Sequence, residues 1–203
     1  MIRHPLADRL LATPVYDATT MTLHGTEPPS PWIQRWTHLI APASQVLDVA
    51  CGAGRHMRWL AAQGHCVLGV DASSTALEQA SACGQTLLAD LENGPWPVPG
   101  QTFGAVVVTN YLWRPLWPAL LASLAPGGVL LYETFAMGQE TLGRPSRPEF
   151  LLAPGELLQL GSSLRTIAYE DGFLPCPDRF VQRLAAVREP VSTSPSRWPL
   201  SPP

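Results

Sequence analysis

Charge is scarce in this chain. Only 14% of its 203 residues are Asp, Glu, Lys or Arg, and the formal net charge is −3. Such a balance gives no general reason to expect a nucleic-acid partner, whose phosphates call for a basic face. Cysteine is sparse too: Cys51, Cys66, Cys83 and Cys176 stand apart, with no CxxC pair. That spacing supplies neither a zinc site nor a disulfide framework, so no metal and four separate, reduced thiols are expected. No apolar run approaches the roughly 18 residues that a membrane span requires. Met1-Ile2-Arg3-His4-Pro5 leads into no apolar signal segment. A cytoplasmic protein without a membrane partner is the expectation. No internal repeat is visible. What is present is enough length for one α/β domain and 46% hydrophobic residues, sufficient for a buried sheet.

The most informative stretch is the eleven residues from Val46 to His56. Val46-Leu47-Asp48-Val49-Ala50 has the apolar character of a buried parallel strand, interrupted by one acid. Gly52 and Gly54 follow, and a helical pattern begins at Arg55. A strand, a glycine turn and a helix in that order bring bare backbone close to a bound small molecule. Nineteen residues after Gly52, Asp71 ends the next apolar run, Cys66-Val67-Leu68-Gly69-Val70. An acid there can accept from ribose hydroxyls, so a nucleoside-containing cofactor is expected. A dinucleotide turn needs a third glycine, three residues past the second, to pack its helix over a pyrophosphate. Met57 holds that position, which argues against NAD and a dehydrogenase. Asp48 adds a second argument. A buried carboxylate is costly without a partner, and beside this loop it suits a ligand with a cationic group. S-adenosylmethionine, with an ammonium and a sulfonium, answers that description.

The same residues resemble motif I of the class I S-adenosylmethionine-dependent methyltransferases, with Ala50 where the family pattern has a glycine. Gly69-Val70-Asp71-Ala72-Ser73 is similar to the family's second motif and Ala89-Asp90-Leu91 to its third. Leu124-Ala125-Pro126-Gly127-Gly128-Val129-Leu130-Leu131-Tyr132-Glu133 is similar to the leader into its fifth strand. The run from Phe150 to Leu158 resembles a branch of small bacterial methyltransferases related to the tellurite-resistance and thiopurine types. The resemblance implies an α/β, Rossmann-like fold: a seven-stranded, mostly parallel sheet in the order 3-2-1-4-5-7-6 with helices on both faces. It also implies roles around S-adenosylmethionine. Asp71 would hold the ribose hydroxyls, with Ala72 beside it. Asp90 would meet the adenine amino group, with Leu91 beside it. Backbone groups of Ala50, Gly52 and Thr109 or Asn110 would hold the amino acid end, with Gly54 in the same turn; Asp48 would fix the loop or orient a cationic ligand group, and Arg55 would reach the cofactor carboxylate or a substrate.

Around this core the sequence reads as a domain over 31–189. An irregular, proline-punctuated arm over 1–30 precedes it, and a disordered tail over 190–203 follows. A helix is expected from Pro31 to Ile40 and another after Pro115, the latter with Leu116, Leu120, Leu121 and Leu124 on one face. The alternation of strand and helix lapses over 136–152, and a loop of that length in a compact domain is usually functional. Methyl transfer asks mainly for alignment and exclusion of water, and a base only when the acceptor arrives protonated. The candidates for acceptor positioning are Tyr111, Glu133 and Arg144. Arg147, three residues after Arg144, would complete a clasp for an anion. His24 and His56 are further candidate bases. Asn110-Tyr111-Leu112-Trp113-Arg114 is not the Asn-Pro-Pro-Tyr box of amide and exocyclic-amine methyltransferases, which disfavours DNA adenine and protein glutamine. One domain, monomeric or homodimeric, points to a small-molecule acceptor: a thiol, a chalcogen oxyanion or another soft nucleophile. An RNA or protein methyltransferase and a non-catalytic S-adenosylmethionine-binding protein stand as alternatives.

Overall fold

The computed structural model describes residues 27–191, 194 and 196–202. Seven strands form one sheet: β1 (Gln45–Val49), β2 (Cys66–Asp71), β3 (Gln85–Leu88), β4 (Phe103–Thr109), β5 (Leu124–Phe135), β6 (Arg165–Leu174) and β7 (Arg179–Val187). Their order is β3-β2-β1-β4-β5-β7-β6. The first five pair in parallel, and β7 inserts antiparallel between β5 and β6. This is the expected topology.

Both faces of the sheet are covered, which is why the central strands are apolar almost throughout. On one face Ala105, Val107 and Leu131 pack with α1 (Pro31–Trp36), α2 (Arg55–Ala62) and α3 (Ser74–Ala80). On the other, Val106, Val108 and Leu130 pack with α4 (Trp117–Ala122) and α5 (Glu156–Leu160). Six residues are too few for α1 to be helical alone. It forms because Trp32, Ile33 and Trp36 are buried, Pro31 suits the first turn, and the Ser30 hydroxyl accepts from Trp32 N at 3.1 Å. The helix expected to reach Ile40 changes pitch at Thr37, whose hydroxyl donates to Ile33 O at 2.6 Å, and a 3-10 turn follows. The helix after Pro115 is also shorter than expected, because Leu124 already opens β5.

The long segment over 136–152 is held by polar contacts instead of regular structure. Gln139 is buried; its amide donates to Arg144 O and accepts from Phe180 N. Arg114 donates to Glu149 O at 2.8 Å and Leu151 O at 2.9 Å while pairing with Glu156. That bidentate pair holds the Glu156 carboxyl below its ordinary range. In the stretch read as a tail, Trp198 packs against the α1 side of the core, and Pro199 O lies 3.1 Å from His38 Nε2.

Candidate active site

Ligands of open α/β sheets bind past the carboxyl ends of the strands, and the sequence motifs converge there. The turn after β1 runs through positive φ at Ala50 (55°), Gly52 (54°) and Gly54 (80°). A side chain at Gly54 would press on Ala80 Cα and Cβ at 3.0 Å, so glycine here lets α3 close against the loop. A Cβ at Gly52 would meet nothing within 4 Å, and the bare backbone opens outward. Met57, fully buried, finds its room in β2: a Cβ at Gly69 would come within 2.3 Å of its sulfur. The glycine missing from position 57 is thus answered by one on the neighbouring strand.

Two acids fasten the rim. Asp71 Oδ2 accepts from Gly52 N at 2.8 Å, and Oδ1 accepts from Ser73 N at 2.9 Å, tying the glycine turn to the start of α3. Asp90 accepts from Glu92 N, Asn93 N and Asn93 Nδ2, each at 3.0 Å. Those bonds, the Asn93 side chain first, hold its carboxyl below the usual range. Asp48 is buried in β1. Met57 N–H donates to its carboxyl, but Oδ2 has no hydrogen-bond partner among the described residues. Burial pushes it up to about 7 against the opposing pull of Arg55.

Two chambers adjoin at this edge and share Ala50 and Tyr111. The larger, about 390 Å³, is lined by Asp71, Ala72, Ala89, Asp90, Leu91, Glu92 and Asn93 as well. The smaller, about 210 Å³, is lined by Glu27, Cys51, Gly52, Ala53, Arg55, His56, Thr109 and Asn110. Ala50 and Asn110 (φ 54°) are both non-glycine residues in left-handed backbone, a strain of about 1–3 kcal/mol each that clusters where function requires it. Tyr111 is placed through its own carbonyl, which accepts from Tyr132 OH at 2.8 Å. Its hydroxyl is buried without a hydrogen-bond partner among the described residues. Burial first, then the carboxylates of Glu92, Asp90 and Asp71, keep the phenol protonated. A cavity of about 500 Å³ opens at the opposite edge of the sheet, around His65, Cys66 and Gln85. No Asp, Glu, Lys or Arg lines it, and it is remote from the glycine turn.

The remaining candidates fall elsewhere. Glu133 is fully buried and lines neither chamber. Its carboxylate faces Arg183 Nε at 2.9 Å and Arg179 Nη1 at 3.8 Å, and it accepts from the Ser30 hydroxyl at 3.0 Å. His56 lines the smaller chamber, but its Nε2 accepts from Ser30 N at 3.1 Å, which leaves the proton on Nδ1, 3.3 Å from the Thr109 hydroxyl. Burial lowers its pKa to about 3. Arg144 is exposed in the long segment, and Arg147 pairs with Glu149 at 2.7 Å and stacks on Phe150; neither lines a chamber. His24 and the arm before residue 27 lie outside the described residues. Ser30 had no distinct signal in the sequence; it reaches the site through tertiary packing that no local pattern encodes.

The chambers suit S-adenosylmethionine on observations of this chain. They share Ala50 and Tyr111; Asp71, Asp90 and Glu92 line one and Arg55 with Glu27 the other, and the Tyr111 hydroxyl is buried without a hydrogen-bond partner among the described residues. Residues 46–128 match the family described as a methyltransferase domain. The malonyl-[acyl-carrier protein] O-methyltransferase of Serratia marcescens is 35% identical over 106 residues, 48% of this chain and 40% of that enzyme. The thiopurine S-methyltransferase of Pseudomonas putida strain GB-1 is 47% identical over 51 residues, 24% of each chain. The chain thus spans well under half the length of these curated relatives. Among solved structures, TehB from Haemophilus influenzae superposes with a TM-score of 0.64 at 18% identity, covering 85% of this chain and 64% of that one. An S-adenosylmethionine-dependent methyltransferase from Methanosarcina mazei gives 0.64 at 14% identity, covering 81% of this chain and 100% of that one. Over residues 46–128 the chain is thus similar to the methyltransferase domain family, and its fold is that of these solved methyltransferase structures.

Proposed function

We propose that the protein transfers a methyl group from S-adenosylmethionine to a small soluble nucleophile, a thiol or an oxyanion. The observation that carries this reading is the pair of chambers meeting at Ala50 and Tyr111, one rimmed by acids and one holding Arg55 beside the bare glycine turn. Asp71, already fixed by two backbone donors, keeps lone pairs for the ribose hydroxyls. Ala72, Asp90 and Leu91 line the adenine side, while Gly52, Arg55 and Asn110 surround the amino acid end and Gly54 lets α3 close against the turn. Asp48 steadies the strand end beneath them. S-adenosylmethionine supplies a methyl on a sulfonium, already activated for in-line displacement.

The chain's own groups align the acceptor and keep water away. Of the titratable residues described in the smaller chamber, Glu27 is paired with Arg55 at 3.3 Å and His56 has its basic nitrogen occupied. The Cys51 thiol and the Tyr111 phenol are pushed up by burial. Such a lining favours an acceptor that needs no deprotonation, which fits a thiolate or an oxyanion. The sulfur chemistry in the name of the thiopurine relative agrees with this.

The test is a transfer assay with methyl-labelled S-adenosylmethionine against thiols, inorganic oxyanions, phenols, carboxylates and bulk RNA. Label recovered in a methylated thiol or oxyanion is the expected result. Label in RNA alone, or in none of them while the cofactor binds, would contradict it.

A further inference from the structure

We infer that Glu27 and Arg55 together read the charged ends of the cofactor's amino acid tail, Glu27 taking the α-ammonium and Arg55 the α-carboxylate. This rests on the cofactor reading above. It assigns half of the recognition to a residue outside the matched domain, which begins at residue 46.

Both side chains line the smaller chamber, and Arg55 Nη1 lies 3.3 Å from Glu27 Oε2. The Arg55 side chain is largely withdrawn from solvent, at 15% exposure, whereas Glu27 is 46% exposed. The rest of the lining is glycine and alanine backbone, the Cys51 thiol, a neutral His56, the Thr109 hydroxyl, Asn110 and a protonated Tyr111. One cation and one anion facing the same small space complement a zwitterion. In the resting state they neutralise each other. A zwitterionic tail gives each its own opposite charge, whereas a nucleoside without a tail leaves the pair as it stands.

Glu27 is also held in place. Three residues on, Ser30 N donates to His56 Nε2 and Ser30 Oγ donates to Glu133. Both anchors are buried, so the segment entering α1 is fastened over the chamber from two sides.

Calorimetric titration with three probes separates the roles. S-adenosylhomocysteine carries both tail charges, decarboxylated S-adenosylmethionine keeps only the ammonium, and 5′-methylthioadenosine has neither. Glu27→Gln is expected to weaken the first two by about tenfold and leave the third within about twofold. Arg55→Gln is expected to weaken S-adenosylhomocysteine similarly while sparing the decarboxylated probe, which has no carboxylate for Arg55 to meet. The inference is overturned if Glu27→Gln spares the decarboxylated compound, or if either variant weakens all three probes alike, as a structural lesion would. Wild-type protein that binds S-adenosylhomocysteine without this crossed pattern sinks the tail assignment alone. Wild-type protein that binds none of the three sinks the cofactor reading with it.

Discussion

Asp48 and His56 flank the glycine turn in the chain, and burial pushes their pKa values in opposite directions. For Asp48, raised from 3.8 to about 7, the folded protein keeps a proton that the unfolded chain releases. Its contribution to stability therefore falls as pH rises from about 4 to about 7 and is level above. For His56, lowered from 6.5 to about 3, the unfolded chain takes up a proton that the folded protein refuses. Its contribution is fully present above pH 6.5 and is lost as pH falls toward 3. The two slopes oppose each other between about 4 and 6.5. Urea denaturation of Asp48→Asn across this range should show the variant gaining on wild type as pH rises, by a swing on the order of 3 kcal/mol at about 1.4 kcal/mol per unit. His56→Gln should gain on wild type as pH falls below 6.5. Parallel curves for wild type and either variant would show that its side chain does not carry the perturbation. At this scale the sequence spoke clearly where a residue's role is local. Gly52, Gly54 and Asp71 lie where the strand–turn–helix pattern puts them. It did not show that Glu133 would be buried against Arg183 or that Arg144 would be exposed in its loop, because the sequence does not show what lies across the sheet from a strand end or which way a loop arginine leans.

Among the elements, the packing of α2 on β2 is the point where the pattern was read correctly for an incomplete reason. Met57 argued against a dinucleotide turn, but nothing local says how so large a side chain fits there. The room comes from Gly69, which faces its sulfur from the neighbouring strand. Gly69→Ala would drive a methyl into Met57 Sδ and Cys51 Sγ, and should cost about 1–3 kcal/mol. Met57→Ala alone leaves a cavity and should cost about 2–5 kcal/mol. The double variant should lose less than the sum of the two, since each change removes the other's defect. Additive losses in chemical denaturation would mean that the two residues do not share this space. The strands were legible because Val, Leu and Ile runs between glycines and prolines have few other uses. The ends of α1 and α4 were not, because Thr37 bonds back to Ile33 and Leu124 joins the sheet, and both are choices made by tertiary context.

Across the whole molecule, one row of polar side chains crosses four strands under α1. Thr109 of β4 stands opposite Glu133 of β5, Glu133 opposite Arg183 of β7, and Arg183 opposite Glu170 of β6. Arg183 bridges both acids, and Arg35 of α1 reaches Glu170 at 3.4 Å. The chain contains no lysine, so every such contact uses a guanidinium, whose planar fork suits buried pairing. Glu133→Ala would take the buried carboxylate from Arg179, leave Arg183 with Glu170 alone and release Ser30, so a stability loss of about 3–5 kcal/mol is expected by denaturation. Loss of methyl transfer with stability intact would instead place Glu133 in the chemistry. The strand order was available only through the family resemblance, since no periodicity tells which strands are neighbours. The row beneath α1 was not available at all, because its members are scattered from residue 30 to residue 183.

The account depends on the two chambers being halves of one cofactor site, and a crystal structure grown with S-adenosylhomocysteine tests that directly. Density for adenosine among Asp71, Asp90 and Leu91, with the tail running past Ala50 toward Gly52 and Arg55, is the predicted result. The compound bound elsewhere, or the chambers empty at saturating concentration, would contradict it.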